Sequence, residues 1–170
     1  WTKTWYDPAT EKEAAKSLLD VGADVIAQHQ DSPGPQEAAQ EKGVYSVGYN
    51  TDMSAFAPKA HLCAPIWNWG PFYKEVVTAV RNDTFEPKAY WLGMESGMVD
   101  LSPMSDMVPA DIQQAVLAQK EAIIAGQTKV FTGPVKDQEG TVRIPDGTVP
   151  DDGALLGMDY FVQGVVGTTE

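Results

Sequence analysis

The sequence is poor in basic residues, in cysteine and in long hydrophobic runs. Lysine and arginine together number 12 against 24 acidic residues, which gives a formal net charge of −12. Because nucleic acids and anionic membrane surfaces bind basic patches, this charge argues against both as partners. Cys63 is the single cysteine and cannot form an internal disulfide. No apolar stretch approaches the roughly 20 residues of a membrane-spanning helix.

The motifs of phosphate-binding and catalytic sites are absent as well. The sequence contains no glycine-rich phosphate loop. The two histidines, His29 and His61, show no helical ligand spacing with a glutamate, so we expect no metal site. Cys63 lies within a predicted strand, where a thiol is buried and inert. These absences favour a ligand-binding module without a cofactor over an enzyme.

The length of 170 residues suits one domain with a full core. The chain opens on residues 1–5 (WTKTW), which resemble the end of a strand, and it has no initiator methionine. We therefore expect the sequence to be a fragment or a processed remainder of a longer chain.

Helices and strands alternate along the first 66 residues. Asp7 can cap a helix, and Pro8 suits the first helical position. The predicted elements that follow are a helix ended by Gly22, a strand over 23–27, a helix from 32–35 to Gly43, and strands over 44–49 and 61–66. This order with short connections is typical of a parallel sheet covered by helices, so the fold class is α/β. Its strand-to-helix loops meet at the carboxyl edge of the sheet, where ligands bind.

The remaining sequence predicts a less regular second half. A helix of about 12 residues follows Pro71. The other predicted elements are strands over 88–93 and 97–101, a helix from Pro109 to Gly126, a hairpin of strands 130–131 and 142–144, and an apolar tail over 154–166 that packs rather than trails free.

Trp67-Asn68-Trp69 is the centre of the predicted binding surface. Trp67 and Trp69 lie two residues apart, so in extended chain they point the same way and can stack on a flat ring. The alternative is that both fill the core beneath the following helix. Trp5 belongs to the first loop of the same sheet edge and is a further candidate.

Polar residues follow the two preceding strands at this edge. His29, Asp31 and Ser32 are sequence neighbours with divergent directions, whereas the partners of a catalytic triad converge from separate segments. This spacing favours hydrogen bonds to a ligand over catalysis, with plain loop structure as the alternative. Asn50 and Asp52 can hold the hydroxyls or ring nitrogens of a polar ligand, although both residues also favour turns.

Several segments in order resemble the basic membrane protein family, whose members are substrate-binding proteins of ABC importers related to bacterial purine-nucleoside receptors. The resemblance covers essentially the whole chain. It rests on residues 5–8 (WYDP), 22–29 (GADVIAQH), 48–53 (GYNTDM), 64–70 (APIWNWG), 97–103 (GMVDLSP) and 156–162 (LGMDYFV).

The resemblance implies a type I periplasmic-binding-protein fold, in which two three-layer αβα lobes are joined by three crossovers and close on a ligand. The chain resembles the C-terminal lobe, with most of the N-terminal lobe missing. On this interpretation residues 1–66 are the first part of the ligand-binding lobe. Residues 67–100 are a crossover segment that contributes to the other lobe, and residues 101–170 return to the C-terminal lobe and tail.

The same resemblance implies a site and a cellular context. In the family an aromatic side chain sandwiches the base, and Asn50 or Asp52 matches the acidic position after the strand. Asn68-Trp69 replaces a basic residue of nucleoside-binding relatives, so a free base such as adenine is as good a candidate as a nucleoside. The implied partner is an ABC transporter permease, and the implied location is periplasmic or extracellular, as a membrane-anchored lipoprotein.

Two other classes of function remain open at this stage. One is an enzyme acting on purines or nucleosides, with His29 and Asp31 as acid and base. The other is a sensory or interaction module built on the same fold. The missing lobe also leaves apolar side chains without cover, which predicts a homodimer through Phe72, Val76, Val77 and Trp91.

Overall fold

The computed structural model describes residues 2–168. Its first half is a three-stranded parallel sheet whose strands lie in chain order; one helix precedes the sheet and another connects its first two strands. The mixed α/β class with a parallel sheet is therefore confirmed. The elements are α1 (Pro8–Asp20), β1 (Val25–Ala27), α2 (Gly34–Lys42), β2 (Tyr45–Val47) and β3 (His61–Cys63).

The two helices begin and end at the residues that the sequence indicates. Asp7 caps α1, and its carboxylate accepts a hydrogen bond from the Thr10 N–H at 3.1 Å. Gly43 ends α2 in the left-handed conformation, with φ of 78°. These local signals are independent of tertiary contacts, which is why they are reliable guides to the helix limits.

Both helices pack on the same face of the sheet. Ile26 of β1 is 3% exposed and lies in one apolar cluster with Leu19 of α1 and Ala39 of α2. Residues that point to the opposite face are exposed, among them Val25 and Tyr45. The sheet therefore has one covered face and one open face within the described residues.

Residues 2–5 do not form the strand end predicted at 1–5. The described part of this segment is irregular, and Trp1 lies outside the described residues. The carbonyl oxygens of Thr4 and Trp5 instead accept hydrogen bonds from Gln30 and Asp31. The segment is thus tied to the loop after β1 without a ladder of strand hydrogen bonds.

The prediction of one continuous strand over 61–66 is wrong, because these residues form two strands that pair with different neighbours. After β3, strand β4 (Pro65–Trp67) pairs antiparallel with β5 (Val99–Leu101). Pro65 has no N–H to donate to a ladder. Ala64 marks the switch, since it exchanges hydrogen bonds with Ser102 at 2.8 and 2.9 Å.

Helix α3 (Trp69–Arg81) confirms the helix predicted after Pro71. The strand predicted over 88–93 is wrong, because residues 84–93 form neither helix nor strand. In place of a strand ladder, Tyr90 makes an edge contact with the Phe72 ring of α3 at 4.8 Å. A single turn of 3₁₀ helix, Met94–Ser96, then leads into β5.

The chain divides into two compact units, residues 1–117 and 118–170, and the division falls within α4 (Ala110–Ile124). The second unit contains the predicted hairpin, but its strands are β6 (Val135–Lys136) and β7 (Val142–Ile144). The first hairpin strand predicted at 130–131 is therefore wrong. The chain turns there, and the Asp137 carboxylate organises the hairpin by accepting from the N–H groups of Glu139 and Thr141 and from Arg143.

The apolar tail packs less than expected. After the short helix α5 (Asp152–Leu156), Val162 forms an isolated bridge with Asp137. Leu156 is 72% exposed and Val166 is 97% exposed, so the prediction that the tail packs is wrong for these residues. None of the helices formed by residues 2–168 has the length and apolar character needed to cross a membrane.

Candidate functional site

Two loops at the carboxyl edge of the parallel sheet and the end of β4 are joined through a chain of side-chain hydrogen bonds. The Asn50 amide donates to the Asp31 carboxylate at 2.6 Å. The Trp67 indole N–H donates to the Asn50 amide oxygen, also at 2.6 Å. The convergence expected from parallel topology is therefore present, and Asn50 is its centre.

The backbone of Asn50 also takes part in this arrangement. Its φ of 69° is left-handed, a conformation that asparagine tolerates better than most residues. Its carbonyl oxygen accepts from the Trp67 N–H at 3.2 Å, and it forms an isolated parallel bridge with Ile66. The loop after β2 is therefore held against β4 by both backbone and side chain.

Aromatic rings surround these polar groups. The His29 and Tyr49 rings lie 4.2 Å apart between centroids with a 41° tilt. Trp5 lies 5.9 Å from His29, and Trp67 meets Tyr49 edge-on at 6.4 Å. Tyr49 was not among the predicted site residues, although its position between Gly48 and Asn50 at a strand end was a usable signal. We name this group the strand-end cluster: Trp5, His29, Asp31, Tyr49, Asn50 and Trp67.

Asp52 does not join the strand-end cluster. Its carboxylate accepts from the Ser54 N–H at 2.9 Å, and this hydrogen bond lowers the pKa of the Asp52 carboxyl. The Nε2 atom of His61 lies 3.6 Å away. Burial of the His61 imidazole lowers its pKa, and Asp52 opposes this only in part. Asp52 thus shows the turn chemistry that was the alternative to ligand binding.

Ser32 is buried, and its hydroxyl makes its hydrogen bonds to other groups of the protein. The hydroxyl donates to the carboxylate of Glu11, and it accepts from the Gly34 N–H at 3.2 Å. Ser32 therefore faces the start of α2, and its geometry favours a structural role over contact with a ligand.

The two tryptophans of the central segment have different surroundings. Trp67 ends β4, whereas Trp69 begins α3, so the extended chain assumed for both does not reach Trp69. The Trp69 ring stacks on Tyr73 with centroids 5.5 Å apart and planes 16° from parallel. Asn68 donates its backbone N–H to Met98 at 2.8 Å, and its exposed side chain makes no capping hydrogen bond.

An apolar groove of about 710 Å³ lies beside the strand-end cluster and shares Trp67 with it. We name it the aromatic groove. Glu95 is the only charged residue among those that line it. Its rings and apolar side chains include Trp67, Trp69, Phe72, Tyr90, Trp91 and Met98.

Reactive groups are scarce in the described part of the chain. Burial raises the pKa of the half-buried Cys63 thiol, which disfavours the nucleophilic thiolate. Within residues 2–168, no three His, Cys, Asp or Glu side chains are grouped so that they could hold a metal ion. The strand-end cluster therefore presents rings, a carboxylate and an amide.

The chain is similar in sequence and in structure to known binding proteins. A putative ABC transporter glucose-binding protein of Haloferax volcanii is 40% identical over 121 residues, 71% of this chain and 31% of that protein. A purine-binding protein of Brucella abortus is 38% identical over 165 residues, 97% of this chain and 47% of that protein. An ABC transporter solute-binding protein from Conexibacter woesei superposes with a TM-score of 0.60 at 26% identity over 76% of this chain and 44% of that chain.

The chain spans less than half the length of each of these relatives. The sequence profile of the Bmp family, described as ABC transporter substrate-binding proteins PnrA-like, matches residues 1–132. These are binding proteins rather than enzymes, in agreement with the sequence analysis. The chain belongs to the Bmp family of PnrA-like ABC transporter substrate-binding proteins.

Proposed function

We propose that this chain supplies one wall of a site for a purine base or nucleoside in a receptor of an ABC importer, and that the wall is the strand-end cluster. The observation that carries the proposal is the Trp67–Asn50–Asp31 hydrogen-bond chain surrounded by rings. Planar heteroaromatic ligands need a stacking surface and a few fixed polar groups, and this cluster offers both.

Asp31 is the residue that would recognise the edge of the base. Its Oδ1 atom accepts from Asn50, and among the described residues no hydrogen bond reaches its Oδ2 atom. An exposed carboxylate oxygen accepts N–H donors, which purines present on the ring and on exocyclic amines. Because Asn50 fixes the carboxylate, less side-chain freedom is lost on binding.

The rings beside Asp31 would supply stacking. Stacking of a base on an aromatic side chain is worth about 1–3 kcal/mol where it has been measured by substitution. Trp67 is 39% exposed and Trp5 is 66% exposed, so both present ring surface to a ligand. The rings of His29 and Tyr49 extend this surface, since His29 contacts Trp5 and Tyr49 contacts Trp67.

The names of the relatives support a small-molecule ligand, but they name different ligands. The Brucella abortus relative is named as a purine-binding protein and aligns over 97% of this chain. The Haloferax volcanii relative is named as a putative glucose-binding protein. We therefore keep a sugar as the second candidate, and the binding experiment includes glucose.

Calorimetry of the 170-residue chain with adenine, adenosine and glucose tests the proposal. We expect binding of adenine or adenosine and no product after incubation. Asp31→Asn should weaken binding about tenfold, because the carboxylate acceptor is lost. Asp24→Asn is the matched control, since Asp24 is exposed before β1, at the opposite end of that strand from Asp31. Equal losses in both variants, or turnover of the ligand, would contradict the proposal.

We further propose the context of a type I periplasmic-binding receptor for this site. Residues 67–100 would be a crossover segment that belongs to a second lobe, and that lobe would close over the strand-end cluster. The receptor would act outside the cytoplasm as a membrane-anchored lipoprotein and deliver its ligand to an ABC permease. Transport of labelled purine by cells with and without the full-length gene tests this context.

We also propose that the 170-residue chain forms a homodimer through α3 and the aromatic groove. Helix α3 buries none of its residues, and Val77 is 58% exposed, Val80 53% and Trp91 68%. Contiguous apolar surface of this kind favours association. Sedimentation velocity over a concentration series tests it, and a strictly monomeric species at every concentration would contradict it.

A further inference from the structure

Glu11 is a fully buried acidic residue in the first turn of α1. It is 0% exposed, and among the described residues no cationic side chain pairs with it. The adjacent Lys12 is directed to Glu37 and Glu41 of α2 instead. Because a buried carboxylate is costly unless its oxygens are hydrogen-bonded, its surroundings must compensate for the burial.

Three donors from two separate segments supply this compensation. The Asp7 N–H donates to Glu11 Oε1 at 2.7 Å. The Ser32 N–H donates to Oε2 at 3.2 Å, and the Ser32 hydroxyl donates to the same oxygen. Each carboxylate oxygen therefore accepts from a different segment, which makes Glu11 a bridge between them.

The two bridged segments both lead into the strand-end cluster. Ser32 directly follows Asp31, and Asp7 lies two residues after Trp5. A backbone hydrogen bond from the Asp31 N–H to the Trp5 carbonyl at 3.0 Å joins the segments at a second point. The carboxyl of Glu11 thus fixes the backbone beside two members of the cluster without belonging to it.

The starts of α1 and α2 are packed closely around this bridge. A Cβ atom at Gly34 would come within 2.7 Å of the Pro8 carbonyl oxygen and 3.3 Å of Ser32 Oγ. The Ser32 hydroxyl also accepts from the Gly34 N–H. Little room is left for the loop before α2 to move independently of α1.

We propose that Glu11 is a positioning residue for ligand recognition, which holds Asp31 and Trp5 at a fixed separation by bridging Ser32 and Asp7. The proposal rests on the proposed function of the strand-end cluster. Glu11 acts through the backbone of its two partners and does not touch the ligand. Glu11→Gln keeps the size of the side chain but replaces one acceptor oxygen by an amide NH₂ group that faces an N–H donor, so one attachment is lost.

The experiment compares Glu11→Gln with Glu13→Gln, which makes the same chemical change in the same helix at a side chain that is 71% exposed and paired with Lys16. Two quantities are measured below the melting transition: the Kd for adenine by calorimetry and the amide hydrogen-exchange rates by NMR. For Glu11→Gln we expect faster exchange confined to the amides at the bridge, those of Asp7, Asp31 and Ser32, and an adenine Kd raised about tenfold. Glu13→Gln should change neither. Unchanged exchange at all three amides, faster exchange throughout the molecule, or an unchanged adenine Kd would overturn the proposal.

A double-mutant cycle with Ser32→Ala separates positioning from direct contact. If Ser32 acts through Glu11, the effects of Glu11→Gln and Ser32→Ala on the adenine Kd are not additive. Additive effects would mean that Ser32 contacts the ligand by itself, and would overturn the bridge. Should the wild-type chain bind no purine, the proposed function fails, while the exchange rates in Ser32→Ala and Glu11→Gln still decide whether the bridge exists.

Discussion

Helices α2 and α3 show how differently two helices of one unit are used. Helix α2 (GPQEAAQEK) has no large apolar residue, yet it buries Gly34, Pro35, Gln36, Ala38 and Ala39. Helix α3 (WGPFYKEVVTAVR) has a clear apolar stripe of aromatic and valine residues, yet it buries none of its residues. Small residues let α2 approach α1 and the sheet closely, whereas the stripe of α3 has no surface of comparable size to cover it.

The same contrast separates the two sides of Trp67. On the side of α1 and α2, the strand-end cluster is fixed by hydrogen bonds of Asn50 and by the buried Glu11. On the side of α3, the aromatic groove depends on ring contacts such as those of Phe72 with Tyr90. A hydrogen-bonded polar cluster and an uncovered apolar surface thus lie next to each other, which fits the proposal that a second lobe closes over the cluster.

The largest expected effect comes from removing core packing under α1. Leu19 is 4% exposed in the cluster shared by α1, α2 and the sheet, so Leu19→Ala should lower the free energy of unfolding by about 2–5 kcal/mol. Val77→Ala on α3 should change it by less than about 0.5 kcal/mol, because Val77 is already exposed. Urea unfolding measures both free energies, and similar decreases for Leu19→Ala and Val77→Ala would contradict the difference in packing between the two regions.

The next effect concerns association through α3. Val77→Lys and Val80→Lys place charges on the exposed stripe, so both should shift the sedimentation profile towards monomer at concentrations where the unaltered chain dimerises. The urea midpoint measured at a concentration where the unaltered chain is monomeric should stay nearly constant, since neither side chain is buried in the monomer. Lys substitution at Leu18, which is also exposed but lies on α1, is the control and should leave association unchanged.

A pH dependence should belong to the packed region. Burial lowers the folded-state pKa of His61 below its ordinary value, so between the two pKa values the unfolded chain binds more protons than the folded one. Stability should therefore fall as pH drops through about 6.5, the ordinary pKa of histidine. Urea midpoints from pH 8 to pH 5.5 check this, and His61→Leu should flatten the curve over that range. An equally steep curve in His61→Leu would assign the dependence to other groups.

The smallest expected effect compares the two helix starts. The Asp7 carboxylate accepts from the Thr10 N–H, so Asp7→Ala should lower the urea midpoint. Asn68 precedes α3 without a side-chain capping bond, so Asn68→Ala should leave the midpoint within error. A larger decrease of the urea midpoint for Asn68→Ala than for Asp7→Ala would contradict the structure, in which the Asn68 side chain makes no capping hydrogen bond to α3.

Local signals in the sequence were enough to predict most of the fold and part of the candidate site. Asp7-Pro8 and Gly43 predicted helix limits because caps depend on neighbouring residues alone, and parallel topology predicted that the loops of Asp31 and Asn50 would meet. Pro65 was a usable signal for the break at Ala64, but the new pairing partner could not be predicted from the sequence, because Ser102 lies 38 residues away. Residues 88–93 failed as a strand for the same reason, since apolar pattern cannot supply a pairing partner.

The site residues likewise divide into those that their position in the sequence predicts and those that only a distant contact identifies. Asn50, Asp31 and Trp67 were predicted from their positions at strand ends, and the structure brings them together. Glu11 was not predicted, because in sequence it is an ordinary acidic residue in the first turn of a helix. Only its contact with Ser32, 21 residues away, identifies it.

Calorimetry of the chain and its Asp31→Asn and Asp24→Asn variants with adenine tests the central claim most directly. The account predicts heat of binding for the unaltered chain and for Asp24→Asn, and a Kd about tenfold higher for Asp31→Asn. Indistinguishable affinities of the three proteins for adenine, or binding of glucose with no binding of any purine, would contradict it.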